Sequence, residues 1–279
     1  MRRLILARLR SALEDPQLFF RESLLSFYPA RVDSALADTR LFFIVGMGRS
    51  GTTFLSHLLD RVPECAVYHE ATGDRSALVN AYWDPDKAGK HLGGSRQRLV
   101  AARIIRSKCR VYGEVNSYLR HHVDALQARW QPTILHLVRD GRFVVRSLMN
   151  RIAFSPADED HTGRLAPLCG DPLAGRWPDV GRFERVCWYW AYANRYLLER
   201  KLAVIRFEDI VSSYDQFERQ VLQPLELGLP IELWSSETLR PRNVAKNTSF
   251  PGWEGWTREQ RHQFETICGP VMSDLGYAI

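Results

Sequence analysis

The sequence predicts a three-layer α/β/α fold, P-loop-like, built around a central and mainly parallel sheet. Three segments carry that expectation, each an apolar run of strand length leading into a helix. The first runs from Leu41 to Val62. Leu41 to Val45 is continuously apolar, whereas Phe54, Leu55, Leu58, Leu59 and Val62 recur at helical spacing. The second begins with the apolar run Thr133 to Val138 and passes through Arg139, Asp140 and Gly141 into a helix bearing Phe143, Val144, Leu148 and Met149. The third, Val204 to Ile210, reads as a short strand ending in Glu208 and Asp209, with a helical stretch from Phe217 to Leu227 behind it. Strands buried on both faces read as unbroken apolar runs, which is why a parallel sheet covered by helices fits best.

The loop of the first segment, Gly46 to Thr53, holds the most chemical information. Gly46 and Gly51 bracket four residues, so that backbone N–H groups face an anion above the helix N-terminus. A nucleotide kinase places Lys directly after the second glycine. Here that position is Thr52, and the cation stands upstream at Arg49. In the second segment Arg139 lies at the carboxyl end of its strand, where open α/β sheets bind ligands. Ser147 follows eight residues later, about two helical turns, so both side chains reach one phosphate only if the ligand lies beside the helix. Arg49 as a solvated loop cation, and Arg139 in a salt bridge, are the plainer alternatives.

Taken together, these motifs resemble those of the sulfotransferases that use 3′-phosphoadenosine 5′-phosphosulfate. RSGTT, Arg49 to Thr53, is similar to their 5′-phosphosulfate loop, and RDGRFVVRS, Arg139 to Ser147, to their 3′-phosphate motif. The resemblance implies that Arg49, Ser50, Gly51, Thr52 and Thr53 hold the 5′-phosphate side of the donor. It implies that Arg139 and Ser147 hold the 3′-phosphate, and that Arg49 also neutralises the leaving group. It covers residues from about 41 to 265, with VIRFEDI as a supporting element in which Glu208 and Asp209 are structural partners. A basic glycine motif that several members carry near the C-terminus is missing; only Lys246, Asn247 and Ser249 stand nearby.

Transfer to a hydroxyl needs a group that accepts its proton. Glu70 is the favoured candidate: it follows the loop helix, Pro63 and the run Cys65 to Tyr68, which reads as the next strand and returns to the mouth of the loop. In relatives acting on protein tyrosines or polysaccharides, a Glu after this helix is the base. His69 competes, and so does Glu114 in YGEVNSYLRHH, where members acting on phenols and steroids carry a His. Many relatives also have a Lys in that element; Val115 offers none, which leaves Arg49 to assist the leaving group.

Composition narrows the remaining choices. A chain of 279 residues, 45% hydrophobic and 25% charged, buries a sizeable core. We expect residues 1–40 to form an N-terminal helical segment packed on or beside one domain spanning 41–279. Leu4, Ile5, Leu9 and Leu13 share one side of that segment among arginines, so peripheral contact with a membrane stays open. Residues 155–182, with four prolines and four glycines, read as a loop on the acceptor side. The Trp253 to Trp256 stretch serves either ligand contact or core packing. Five scattered cysteines point to a reducing compartment, and no histidine spacing points to a metal. No apolar run approaches the ~18 residues of a span, and the expected location is cytoplasmic. The net charge of +6 suits a doubly phosphorylated donor. Eight basic residues from Lys87 to Arg110 alternate with apolar ones as on a solvated helix face, and no nucleic-acid module accompanies them. The expected acceptor is a carbohydrate, a lipid or another small molecule. A P-loop small-molecule kinase, which Asp140 keeps open, and a non-catalytic nucleotide-binding protein are the alternatives.

Overall fold

A computed structural model describes residue 13 and residues 15–71, 73–158, 161–239 and 249–279. Leu4, Ile5, Leu9, Lys246 and Asn247 lie outside the described residues. Among the described residues five strands form one sheet: β1 (Arg40–Gly46), β2 (Cys65–His69), β3 (Val111–Val115), β4 (Thr133–Val138) and β5 (Ala203–Arg206). All neighbours are parallel, in the order β2-β3-β1-β4-β5. Alternation along β1 shows how the three layers arise. Phe43 and Val45 point to one face, against Leu18, Val32 and Leu36 of the N-terminal helices and Val100 and Ala101 of the Ser95–Ser107 helix. Phe42 and Ile44 point to the other, against Leu55, Leu58 and Leu59 of the Thr52–Leu59 helix. A sheet covered on both faces explains the uninterrupted apolar strands.

The described part of the N-terminal segment includes two short helices, Pro16–Leu24 and Pro29–Ala37. Each starts with Pro at its first position, where no intrahelical hydrogen bond is lost, and Asp15 caps the first by accepting from the Leu18 N–H at 3.0 Å. A third core lies beyond the end of β4. There the Arg182–Leu198 helix packs on the Arg258–Asp274 helix through Trp190, Phe264, Cys268 and Met272, all essentially inaccessible. Trp256 belongs to this core, with ring centroids 5.1 Å from Phe183 and 5.4 Å from Phe264. The aromatic tail therefore serves packing.

Two elements differ from the sequence expectation. The strand read at Val204 to Ile210 is β5 and ends at Arg206, and Phe207–Ser212 is helical, with Glu208 and Asp209 in its first turn. Carboxylates there complement the positive end of the helix dipole, which an apolar-run reading does not see. The basic stretch from Lys87 to Arg110 is not a uniformly solvated face either. Arg96 and Arg103 are buried and turned inward. Arg96 binds Asp74 at 3.1 Å and pairs with Glu114, and Arg103 reaches Glu114 at 3.3 Å. Their inward-facing carboxylate partners come from other elements, which a local reading of charge spacing does not reveal. No described helix is long and apolar enough to cross a membrane.

Buried histidines give this core a signature in acid. His136 on β4 and His122 after β3 are inaccessible, and burial pushes their imidazoles down to about 4 and about 3 respectively. Both therefore stay neutral in the folded chain while the unfolded chain takes up protons below about pH 6.5. The stability they confer is whole at pH 7 and falls as pH drops through 6.5 toward those lower values, by about 1.4 kcal/mol per pH unit for each histidine. Urea unfolding at pH 7 and pH 5 should show that loss, and His136→Gln should remove about 1.4 kcal/mol per unit of the slope. A slope unchanged in the variant contradicts this assignment.

Candidate active site

The carboxyl ends of β1 to β4 converge on one cleft. β1 delivers the loop Met47 to Gly51, β2 delivers His69 and Glu70, β3 delivers Asn116 and Ser117, and β4 delivers Arg139. Parallel register sets their common level, since Ile44 of β1 and His69 of β2 both lie opposite Val115.

Gly51 makes the turn into the Thr52–Leu59 helix with φ 96°, and a Cβ there would lie 2.2 Å from the Phe207 ring. No other residue satisfies both constraints. Arg49 also adopts positive φ, 77°, an uncommon conformation for a side-chain-bearing residue. The first N–H groups of a helix have no intrahelical acceptor, so the turn presents donors over Thr52 and Thr53. Arg49 is held at both ends. Its Nε donates to Ser147 Oγ at 2.9 Å, and its carbonyl accepts from Arg139 Nη1 at 3.3 Å.

Three of the predicted donor-binding residues thus meet around the loop. Arg139 is flanked by the Phe207 and Phe143 rings at 4.9 and 5.5 Å, with Glu208 at 4.0 Å. Burial, together with the positive charges of Arg151 and Arg139, lowers the proton affinity of Arg49, while Glu70 raises it. Such crowding of guanidinium groups favours a bound polyanion. Ser50 is buried. The Thr52 hydroxyl lies 3.0 Å from His69 Nε2. Burial lowers the His69 pKa, so the neutral ring pairs with that hydroxyl.

Glu70 shares a cavity of about 280 Å³ with Met47, Gly48, Arg49, Thr52, Thr53 and His69. Ser117 Oγ donates to Glu70 Oε1. The far wall consists of Tyr118, Arg120, Tyr189, His161 and Thr162, and Leu148, Ile152 and Ala153 supply its apolar part. Arg139 and Ser147 do not line this cavity and reach it only through their bonds to Arg49. Asp158, His161 and Thr162 bring the 155–182 segment to the wall. That segment is anchored rather than loose: Trp188 Nε1 donates to Asp171 Oδ2 at 2.9 Å, and Leu165, Leu173 and Val180 are buried.

Two competing assignments lose ground on geometry. Glu114 is fully buried and accepts from Arg96, from Arg103, from Tyr112 OH at 2.5 Å and from Asn116 Nδ2 at 3.1 Å. It is committed to the interior and cannot meet a substrate. Asp140, the residue that kept a metal-dependent kinase open, caps the Gly141–Met149 helix through Arg142 N at 2.8 Å and is forked by the Arg142 guanidinium at 2.6 Å. Among the described residues no cluster of three or more His, Cys, Asp or Glu is placed to hold a metal ion. Sequence reasoning missed Ser117, Arg120, Arg151, His161 and Tyr189. Ser117 directly follows the Glu114 to Asn116 stretch and was within reach; the others arrive from separate elements and needed the fold.

Comparison with known proteins bears on this geometry. The sequence model of a family described as "Sulfotransferase family" matches residues 42–231. The solved structure of sulfotransferase STF9 from Mycobacterium avium is 13% identical, aligns over 92% of this chain and 81% of its own, and has a TM-score of 0.55. Sulfotransferase STF1 from Mycobacterium tuberculosis H37Rv is 13% identical over 89% and 82%, with a TM-score of 0.49. Mouse sulfotransferase SULT7A1, solved in complex with PAP, is 13% identical over 88% and 90%, with a TM-score of 0.48. The likeness to STF9 is one of fold. No curated protein sequence matches the chain significantly.

The turn at Gly51 can be tested without any ligand. Gly51→Ala combines a left-handed backbone with a methyl group driven into Phe207, and we expect it to lower unfolding stability by about 2 kcal/mol or more. Gly175→Ala, with nothing within 4 Å of the new methyl group, should change it little. Equal thermal midpoints for both variants would refute the constraint.

Proposed function

The chain belongs to the sulfotransferase family, and from that premise we propose that it moves a sulfuryl group from 3′-phosphoadenosine 5′-phosphosulfate to the hydroxyl of a small-molecule or carbohydrate acceptor. The observation that carries the reading is the position of Arg49. It borders the cavity that holds Glu70, and it also binds Ser147 on the side of Arg139. One residue therefore joins a candidate proton acceptor to two candidate phosphate sites.

The donor fits the residues present. The Gly51 turn and the first turn of the Thr52–Leu59 helix suit the 5′-phosphate, with Ser50, Thr52 and Thr53 beside it. Arg139 and Ser147 suit the 3′-phosphate. When bound, the donor supplies the sulfuryl group: the acceptor oxygen bonds to sulfur as the sulfur–oxygen bond to the 5′-phosphate breaks, and the acceptor proton passes to Glu70. Ser117 orients Glu70 through its hydrogen bond, and His69 orients Thr52. Arg49 neutralises charge that grows on the departing phosphate, so no metal is required for that role. Residues 41–279 act as the catalytic unit in this reading, with the two N-terminal helices docked on its sheet and 155–182 forming part of the acceptor wall.

Two experiments test it. Calorimetry should show 3′-phosphoadenosine 5′-phosphate binding equally with and without a chelator, and Arg139→Ala should weaken it by about 1.5 to 3 kcal/mol through a lost charge-assisted contact. A strict magnesium requirement, or preference for ATP, would point to phosphoryl transfer instead. Glu70→Gln keeps shape and polarity but removes the proton acceptor. Single-turnover transfer should fall roughly a hundredfold or more with donor affinity near wild type. Retained turnover in Glu70→Gln, with turnover abolished in His69→Ala, would move the base to His69.

A further inference from the structure

On the far wall of the cavity stands a cation with no counter-ion among the described residues. Arg120, in the Ser117–His122 turn, is 1% exposed. Its Nη1 donates to the Ser117 carbonyl at 2.8 Å, its Nη2 donates to the Tyr189 hydroxyl, and its Cζ lies 5.0 Å from the centroid of the Tyr189 ring. Among the described residues its buried Nε has no hydrogen-bond partner and no carboxylate pairs with it. A carbonyl, a phenol and a ring face offer only partial charges. Burying a full charge on such terms is costly, and the cost is recovered when an anion arrives.

The surroundings leave that role open for a ligand. Asp158, the acid on the same wall, is paired with Arg75 and accepts from Thr162 at 2.6 Å. Glu70 is turned to Ser117. His161 adds no positive charge, because burial and the nearby Arg120 and Arg75 hold its imidazole down to about 3. Ser117 connects the two ends of the cavity: its hydroxyl touches Glu70 and its carbonyl touches Arg120. A cavity of about 280 Å³ with Leu148, Ile152, Ala153 and Tyr118 on its walls admits a compact, partly apolar molecule.

We propose that Arg120 is the acceptor's anion anchor and that the acceptor class is a compact hydroxy acid, whose carboxylate docks on Arg120 while its hydroxyl reaches Glu70. This rests on the functional reading above and narrows it. Arg–carboxylate pairing is strong where water is excluded, so charge, rather than size, selects the acceptor.

The test uses matched probes: para-hydroxyphenylacetate against its amide, and beta-hydroxybutyrate against its amide. Each is titrated by ligand-observed NMR into protein saturated with 3′-phosphoadenosine 5′-phosphate. At least one acid should bind about tenfold or more tightly than its amide. Arg120→Met should abolish that preference by weakening the acid alone, Arg120→Lys should keep part of it, and nucleotide affinity should stay unchanged in both. Acid and amide binding alike to the wild-type protein, or neither binding at millimolar concentration, overturns the proposal whether or not the variants fold. A preference that survives Arg120→Met overturns it too. Failure of the nucleotide to bind would instead defeat the reading of the donor site.

Discussion

The arrangement of the cleft depends on Arg49 being fastened at both ends. Its carbonyl is bound by Arg139 from the end of β4, and its guanidinium is bound to Ser147 from the helix that follows. Because Gly51 alone permits the turn against Phe207, the chain between β1 and its helix has little freedom to move away. The loop after the first strand and the end of the fourth are thereby a single unit, and any anion held by one is presented to the other. The positive φ at Arg49 is the local cost of that arrangement, offset by these contacts.

A second constraint lies behind the cleft. Asp74, Arg96, Arg103, Glu114, Tyr112 and Asn116 form a buried polar network, and Asn116 reaches Asp74 at 2.7 Å and Glu114 at 3.1 Å. The fields of Arg96 and His91 and the hydrogen bonds from His91 and Asn116 hold the Asp74 carboxyl well below its usual range, against the opposing effect of complete burial. Removing one partner would strand a charge in the interior. The network fixes the end of β3 just where Ser117 must meet Glu70, so a structural device and a site residue are consecutive in the chain.

How much of this was legible depended on whether the signal was local. The strand, glycine loop and helix around Gly51 show themselves because hydrophobic periodicity changes across a few residues, and β4 with Arg139 does so for the same reason. Local signals failed where long-range partners decided. Arg96 and Arg103 sit on a helix with charges at exposed-looking spacing, yet two carboxylates from other elements draw them inward. Glu208 and Asp209 extend an apolar run by sequence, but helix geometry takes over at Phe207. Arg120 looks ordinary in sequence, because nothing near it in the chain announces that its guanidinium is buried with no acid partner among the described residues.

The identity of the transferred group separates sulfuryl from phosphoryl transfer. It is tested most directly by incubating the protein with both 3′-phosphoadenosine 5′-phosphosulfate and magnesium ATP and a mixture of hydroxyl compounds, then reading the products by exact mass. Sulfuryl transfer gives products heavier by one sulfuryl group, formed equally when magnesium is withheld. Products carrying a phosphoryl group, or no product of either kind across carbohydrate, phenolic and hydroxy-acid acceptors, would contradict it.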